Sequence, residues 1–142
     1  MANQIQLDVV TPERQVVSER VDSAAVPGAS GELGILPAHS PLISQLQTGL
    51  LSYTQSGAVH KLHVSGGFVE VNHDRVSVLA EIAELPEEID QAKARAEKDQ
   101  FEKALGSFSG ADEDFEKLRT SLERAKARLQ LAAGGSAMST SG

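Results

Sequence analysis

Residues 76–105 read VSVLAEIAELPEEIDQAKARAEKDQFEKAL, and the hydrophobic rhythm changes inside that stretch. Up to Leu85, Val76, Val78, Ala80 and Ile82 share a parity, which is the period of a half-buried strand. From Pro86 the apolar spacing widens to that of a helix. Pro86, Glu87 and Glu88 supply the proline and the acidic first turn that a helix start favours. No further glycine or proline occurs before Gly106. The change predicts two units that meet at residues 85 and 86, the first all strand and the second helical.

Working toward the N-terminus, the period of two persists. In QIQLDVV (residues 4–10) Ile5, Leu7 and Val9 face one way, and in AVHKLHV (58–64) Ala58, Leu62 and Val64 do. Thr11-Pro12, Pro27-Gly28, Ser56-Gly57 and Asn72-His73-Asp74-Arg75 mark turns between these runs. In SGGFVEV (65–71) the apolar parity flips after Gly66-Gly67, so a β-bulge of one extra residue is expected there. Many short strands with frequent turns read as an all-β sandwich over residues 1–85.

Toward the C-terminus two helices are expected over 86–133. The first has a thin apolar face of Ile89, Ala92, Ala96, Phe101, Ala104 and Leu105. After the loop GSFSGAD the second carries Phe115, Leu118, Leu122, Ala125, Leu129 and Ala132 on one seam, with Asp112 or Ser109 as candidate caps. The short loop predicts an antiparallel helical hairpin. Residues 134–142, GGSAMSTSG, are expected to be a disordered tail. So small a hairpin has little core of its own, which makes it a candidate for packing elsewhere or alternating between states.

Composition narrows the function. The 142 residues carry 20 acidic and 13 basic side chains, a net charge of −7. No basic stripe is present to displace counterions, so nucleic acid is excluded as the main partner. The absence of cysteine removes disulfides and thiolate zinc sites. No apolar leader and no apolar run of about 20 residues is visible.

Glu32, His39 and Ser40 supply an acid, a base and a hydroxyl within GELGILPAHSPL (31–42), but no G-x-S-x-G elbow accompanies them. No catalytic residue is therefore expected, and the segment reads as a turn-rich contact surface. His60 and His63 are three apart on a strand and point to opposite faces, which is wrong for shared metal ligation, so no metal site is expected. Neither phosphate-loop fingerprint occurs. Arg124 and Arg128 lie four apart on one helix face, able to grip a phosphate or an acidic partner, or simply solvated.

LDVVTPE (7–13), GELGILPAHSPL, SGGFVEV followed by RVSVLAE, and EIDQAKARAE (88–97) occur in the order and spacing of one family. On these motifs the chain resembles the epsilon subunit of the bacterial F-type, proton-translocating ATP synthase. The resemblance implies a non-catalytic central-stalk subunit that couples proton flow to ATP synthesis. It implies binding to the gamma subunit and to the c-subunit ring, and a peripheral place on the cytoplasmic face of the bacterial cell membrane. Glu32 and His39 would then belong to the surface facing the c-ring. The hairpin would inhibit ATP hydrolysis when extended, with Arg119, Arg124, Lys126 and Arg128 meeting the catalytic alpha and beta subunits. Some members bind ATP in the folded hairpin. The matching positions here are Glu84, Ile89, Asp90, Lys93, Ala94, Arg124 and Arg128. Lys93 replaces an arginine and Gln100 another, which implies weak regulatory ATP binding at most and no required cofactor. A free-standing ATP sensor and a small hydrolase are the competing classes.

Overall fold

The computed structural model describes the backbone of residues 4–141 and the side chains of residues 4–133. The chain divides into two compact units, Met1–Leu85 and Pro86–Gly142.

The first unit is a β-sandwich of eight strands: β1 (Ile5–Val10), β2 (Gln15–Val21), β3 (Ser23–Gly28), β4 (Gly31–Ile35), β5 (His39–Gln45), β6 (Gly49–Gln55), β7 (Ala58–His73) and β8 (Arg75–Glu84). The ladder runs β2-β1-β8-β7-β6-β3-β4, and β5 also pairs with β7. All pairs are antiparallel except β1 with β8. Alternation places Ile5, Leu7 and Val9 inside, where they meet Leu51, Leu62, Val69 and Val76. Burying each such side chain contributes about 1.5–3 kcal/mol.

The long β7 organises the sandwich. Its first half pairs with β6 and its second with β5, while β8 follows it along the other edge. The parity flip falls at Gly66-Gly67 as expected, but the bulge does not form. The β7–β8 register runs without a shift from His63↔Glu84 to Asn72↔Arg75. Both glycines instead take positive φ, 73° and 101°, and turn the strand over with no residue added. The partner strand turns with it. Val76, Val78 and Ala80 are buried, then Ala83, so Ile82 is only half-buried although its parity placed it inside. Ala58, also expected inside, is exposed at the strand end. At Gly67 a Cβ would fall on the carbonyl oxygen of Leu79, so only glycine fits the corner.

The second unit begins with a 3₁₀ turn, Pro86–Glu88, followed by α1 (Gln91–Gly106) and α2 (Asp112–Ser141). Pro86 therefore starts the turn and not the helix. Asp90 is the N-cap of α1, its side chain accepting the Lys93 amide at 3.0 Å. The buried residue of α1 is Ala94, and Ala92 and Ala96 are exposed. With the start moved to the Asp90 cap, the inward line runs through Ala94, Phe101, Ala104 and Leu105. In α2 neither Ser109 nor Asp112 caps. Asp112 is the first helical residue, and the Ala111 carbonyl accepts the Asp114 and Phe115 amides. Asp112, Glu113 and Asp114 suit the positive end of the helix dipole. The helices pack on one another, and α2 also meets the 3₁₀ turn. Leu122 and Ala125 of the expected seam are buried, joined by Ala127 and Leu131. The expectation for residues 134–142 lies outside the described side chains.

Candidate functional site

Three places carry the candidate residues. The first is the β4–β5 segment. Glu32 lies on β4, exposed, paired with Pro27 of β3. His39 opens β5 and is half-buried. Its Nδ1 lies 2.7 Å from the Ser40 backbone carbonyl, which can only accept, so Nδ1 carries the proton. His39 thus bonds the backbone of Ser40 and not its hydroxyl, and no nucleophile–base pair is formed. Leu36, between them, is 65% exposed.

The second place is a row that parity reasoning on single strands did not single out. Phe68 on β7 is directly opposite Leu79 on β8, and Leu79 opposite Val10 on β1. Ile43 on β5 is opposite Glu70, two residues from Phe68 and so on the same face. Phe68, Leu79 and Ile43 are 53%, 57% and 70% exposed, a large apolar stripe across β5, β7, β8 and the rim of β1. Each has a polar residue two positions on, Gln45, Glu70 and Glu81, but only the register shows that the three share one row.

The third place holds the hairpin residues. Ile89, Asp90, Lys93 and Ala94 cluster where the 3₁₀ turn leads into α1. Asp90 is engaged as a cap, Lys93 is exposed, and Ala94 is buried. Arg124 and Arg128 are half-buried on α2. A shallow cavity of about 330 Å³ is lined by Glu116, Lys117, Thr120, Ser121 and Arg124, and includes none of Asp90, Lys93 or Arg128. Arg119 bonds Glu116 at 2.8 Å, which pushes its guanidinium above the ordinary value, and Lys126 lies 3.8 Å from Glu123. Such exposed pairs separate at little cost. Glu84 belongs to the first unit, where its Oε1 lies 2.8 Å from Nδ1 of the fully buried His63. His60 is exposed, stacked on Tyr53 with ring centroids 4.9 Å apart. Burial, and secondarily the Glu19 carboxylate, raise the Tyr53 phenol above its usual value.

Residues 4–86 match the family model of the ATP synthase Delta/Epsilon chain beta-sandwich domain. The chain is 43% identical over 135 residues to an ATP synthase epsilon chain of Syntrophotalea carbinolica, covering 95% of this chain and 98% of that one. The chain belongs to the ATP synthase epsilon chain family. It is thus a non-catalytic subunit of the rotary complex. A second epsilon chain, from Desulforamulus reducens, is 44% identical over 132 residues, covering 93% of this chain and 99% of that one. The fold matches a chain in the cryo-EM structure of the Euglena gracilis mitochondrial ATP synthase, with TM-score 0.78 and 24% identity over 93% of this chain and 82% of that one. It also matches a chain of the Tetrahymena thermophila mitochondrial ATP synthase central stalk and c-ring, with TM-score 0.64 and 14% identity over 93% of this chain and 98% of that one. Among the described residues no helix of this epsilon chain is long and apolar enough to cross a membrane.

Proposed function

We propose that this epsilon chain is a rotor element of the central stalk, with the sandwich docked on gamma and seated on the c-ring. The observation that carries this is the Ile43–Phe68–Leu79 stripe. Three large apolar side chains in one row, each more than half exposed, mark a surface built to be covered. Covering them contributes roughly 1–2 kcal/mol apiece, enough to anchor an interface. Gamma is the occupant because the relatives are subunits of that complex and the stripe needs a broad apolar partner. Exposed Glu32 and, at the start of β5, His39 are then read as parts of the surface facing the polar loops of the c-ring. Binding of purified gamma tests the stripe. Phe68→Glu with Leu79→Glu should weaken it at least about a hundredfold while leaving the fold intact; undiminished affinity would sink the docking assignment.

The hairpin is proposed as the inhibitory arm. Its support is its thin interior, with Ala94 the buried residue of α1, and the exposed, easily released Arg119 and Lys126. Arg119 and Lys126, seven residues apart, share one exposed side of α2 and are read as its contact with acidic segments of the alpha and beta subunits, while Arg124 and Arg128 lie on the opposite, half-buried side. Assembled enzyme carrying the chain without residues 86–142 should hydrolyse ATP faster, and an unchanged rate would count against the arm. The family ATP site is read as residual. Asp90 is spent on a cap, Glu84 on His63, and Lys93 lacks the guanidinium fork. Calorimetry with magnesium and ATP should show no saturation below the millimolar range, and tight binding would overturn this. The same reading gives the chain a peripheral place on the cytoplasmic face of the membrane, supported by its bacterial epsilon-chain relatives.

A further inference from the structure

The segment between β4 and β5 contains a residue in an unusual state. Ala38 has φ of 63°, the left-handed region that side chains other than glycine rarely enter. Strain of this kind persists only where neighbours hold it. Here the neighbour is distant in sequence but adjacent across the β5–β7 ladder, where His39 is opposite His73: the Ala38 amide donates to Oδ1 of Asp74 at 3.2 Å. Asp74 sits in the turn between β7 and β8, next to His73, itself at φ 58°. The Asp74 backbone carbonyl accepts the Gln6 amide at 2.8 Å, and neighbouring Arg75 reaches Asp8 of β1 at 2.6 Å. The turn is therefore tied to β1 from below and can act as a fixed post. The loop it holds contributes little to the core, since Leu36, Ala38, Ser40 and Pro41 are all exposed. Pinning such a loop does little for folding and much for the shape it presents.

We propose that Asp74 is a positioning residue that presets the β4–β5 loop for its partner. The inference rests on the reading above that this loop faces the c-ring. Without the Asp74 acceptor, Ala38 relaxes toward an ordinary conformation, and the exposed Leu36 and the start of β5 at His39 lose their fixed placement. A loop already in its bound shape gives up less freedom on binding. Asparagine at 74 keeps an accepting oxygen, whereas alanine does not. Glycine at 38 adopts the left-handed state without strain and so lessens the need for the post.

The test uses the full chain paired with gamma, bound to immobilised c-rings in detergent. Asp74→Ala should weaken binding about threefold to tenfold and speed amide exchange in residues 36–40. Exchange in β1 and β8 should hold near wild type. Asp74→Asn should keep most of the affinity, and Ala38→Gly added to Asp74→Ala should recover part of it. Wild-type affinity and unchanged exchange in Asp74→Ala would overturn the proposal. Should the wild-type pair itself fail to hold c-rings, the c-ring reading falls, and the exchange of residues 36–40 still decides the role of Asp74.

Discussion

The two units differ in what holds them. The sandwich closes around a continuous interior drawn from all but one of its strands, with Ile5, Leu51, Leu62 and Val76 at or near zero exposure. The helical unit rests on small contacts: Ala94 in α1, and Leu122, Ala125, Ala127 and Leu131 in α2. Alanine removes little apolar surface from water, so each such contact contributes far less than a buried leucine. The contrast separates a unit with a broad aliphatic interior from one held by much less buried apolar surface.

The sharpest way to break this contrast is at the sandwich corner. Gly67→Ala should cost several kcal/mol, about 3 or more, because its Cβ would meet the Leu79 carbonyl and backbone cannot yield as a side chain does. Gly57→Ala, also at positive φ but with open space around it, should cost only about 1 kcal/mol. Denaturant unfolding of both variants reads the difference, and equal losses would show that the corner is not sterically fixed.

A smaller effect should appear in the arm. Asp90→Ala removes the cap of α1 and should cost about 1 kcal/mol. Because the cap bonds lie within the helical unit, faster amide exchange should be confined to the start of α1, with the sandwich strands unaffected. Uniform acceleration through β7 and β8 would mean that the two units unfold as one.

The smallest effect concerns the only tyrosine. Burial holds the Tyr53 phenol above its ordinary value, so the folded state keeps its proton where the unfolded state loses it. Its contribution to stability is complete below the unfolded value of about pH 10 and is lost as pH rises through the folded value. Near-ultraviolet absorbance should show a single phenolic transition displaced above about pH 10, and Tyr53→Phe should flatten the alkaline loss of stability. A transition at the ordinary value would remove the claim.

Much of this was legible because strands and helices leave different periods in a sequence. The alternation of Ile5, Leu7 and Val9 and the wider spacing of Leu118, Leu122 and Ala125 gave the two classes directly. The glycine pair announced that facing changes at residues 66 and 67. It did not say how, since an inserted residue and a pair of left-handed glycines produce the same parity flip. Helix starts were missed for a related reason. Pro86 and two glutamates suit a 3₁₀ turn as well as a helix, and the competition was settled by the Asp90 side chain reaching the Lys93 amide. At the candidate site, Glu32 and His39 were visible as turn-rich polar residues. The Phe68–Leu79 pair was not, because opposing positions exist only once register is known.

By itself the sequence determined the composition of each unit, the change of rhythm near Leu85, and membership of the epsilon chain family, because these depend on residue order alone. The tertiary structure decided what depends on distant residues meeting. Register aligned Ile43, Phe68, Leu79 and Val10 into one stripe, steric closeness to Leu79 reserved position 67 for glycine, and the return of β7 brought Asp74 to Ala38 across 36 positions of chain. Non-local contacts of this kind carry no period, so no local pattern announces them.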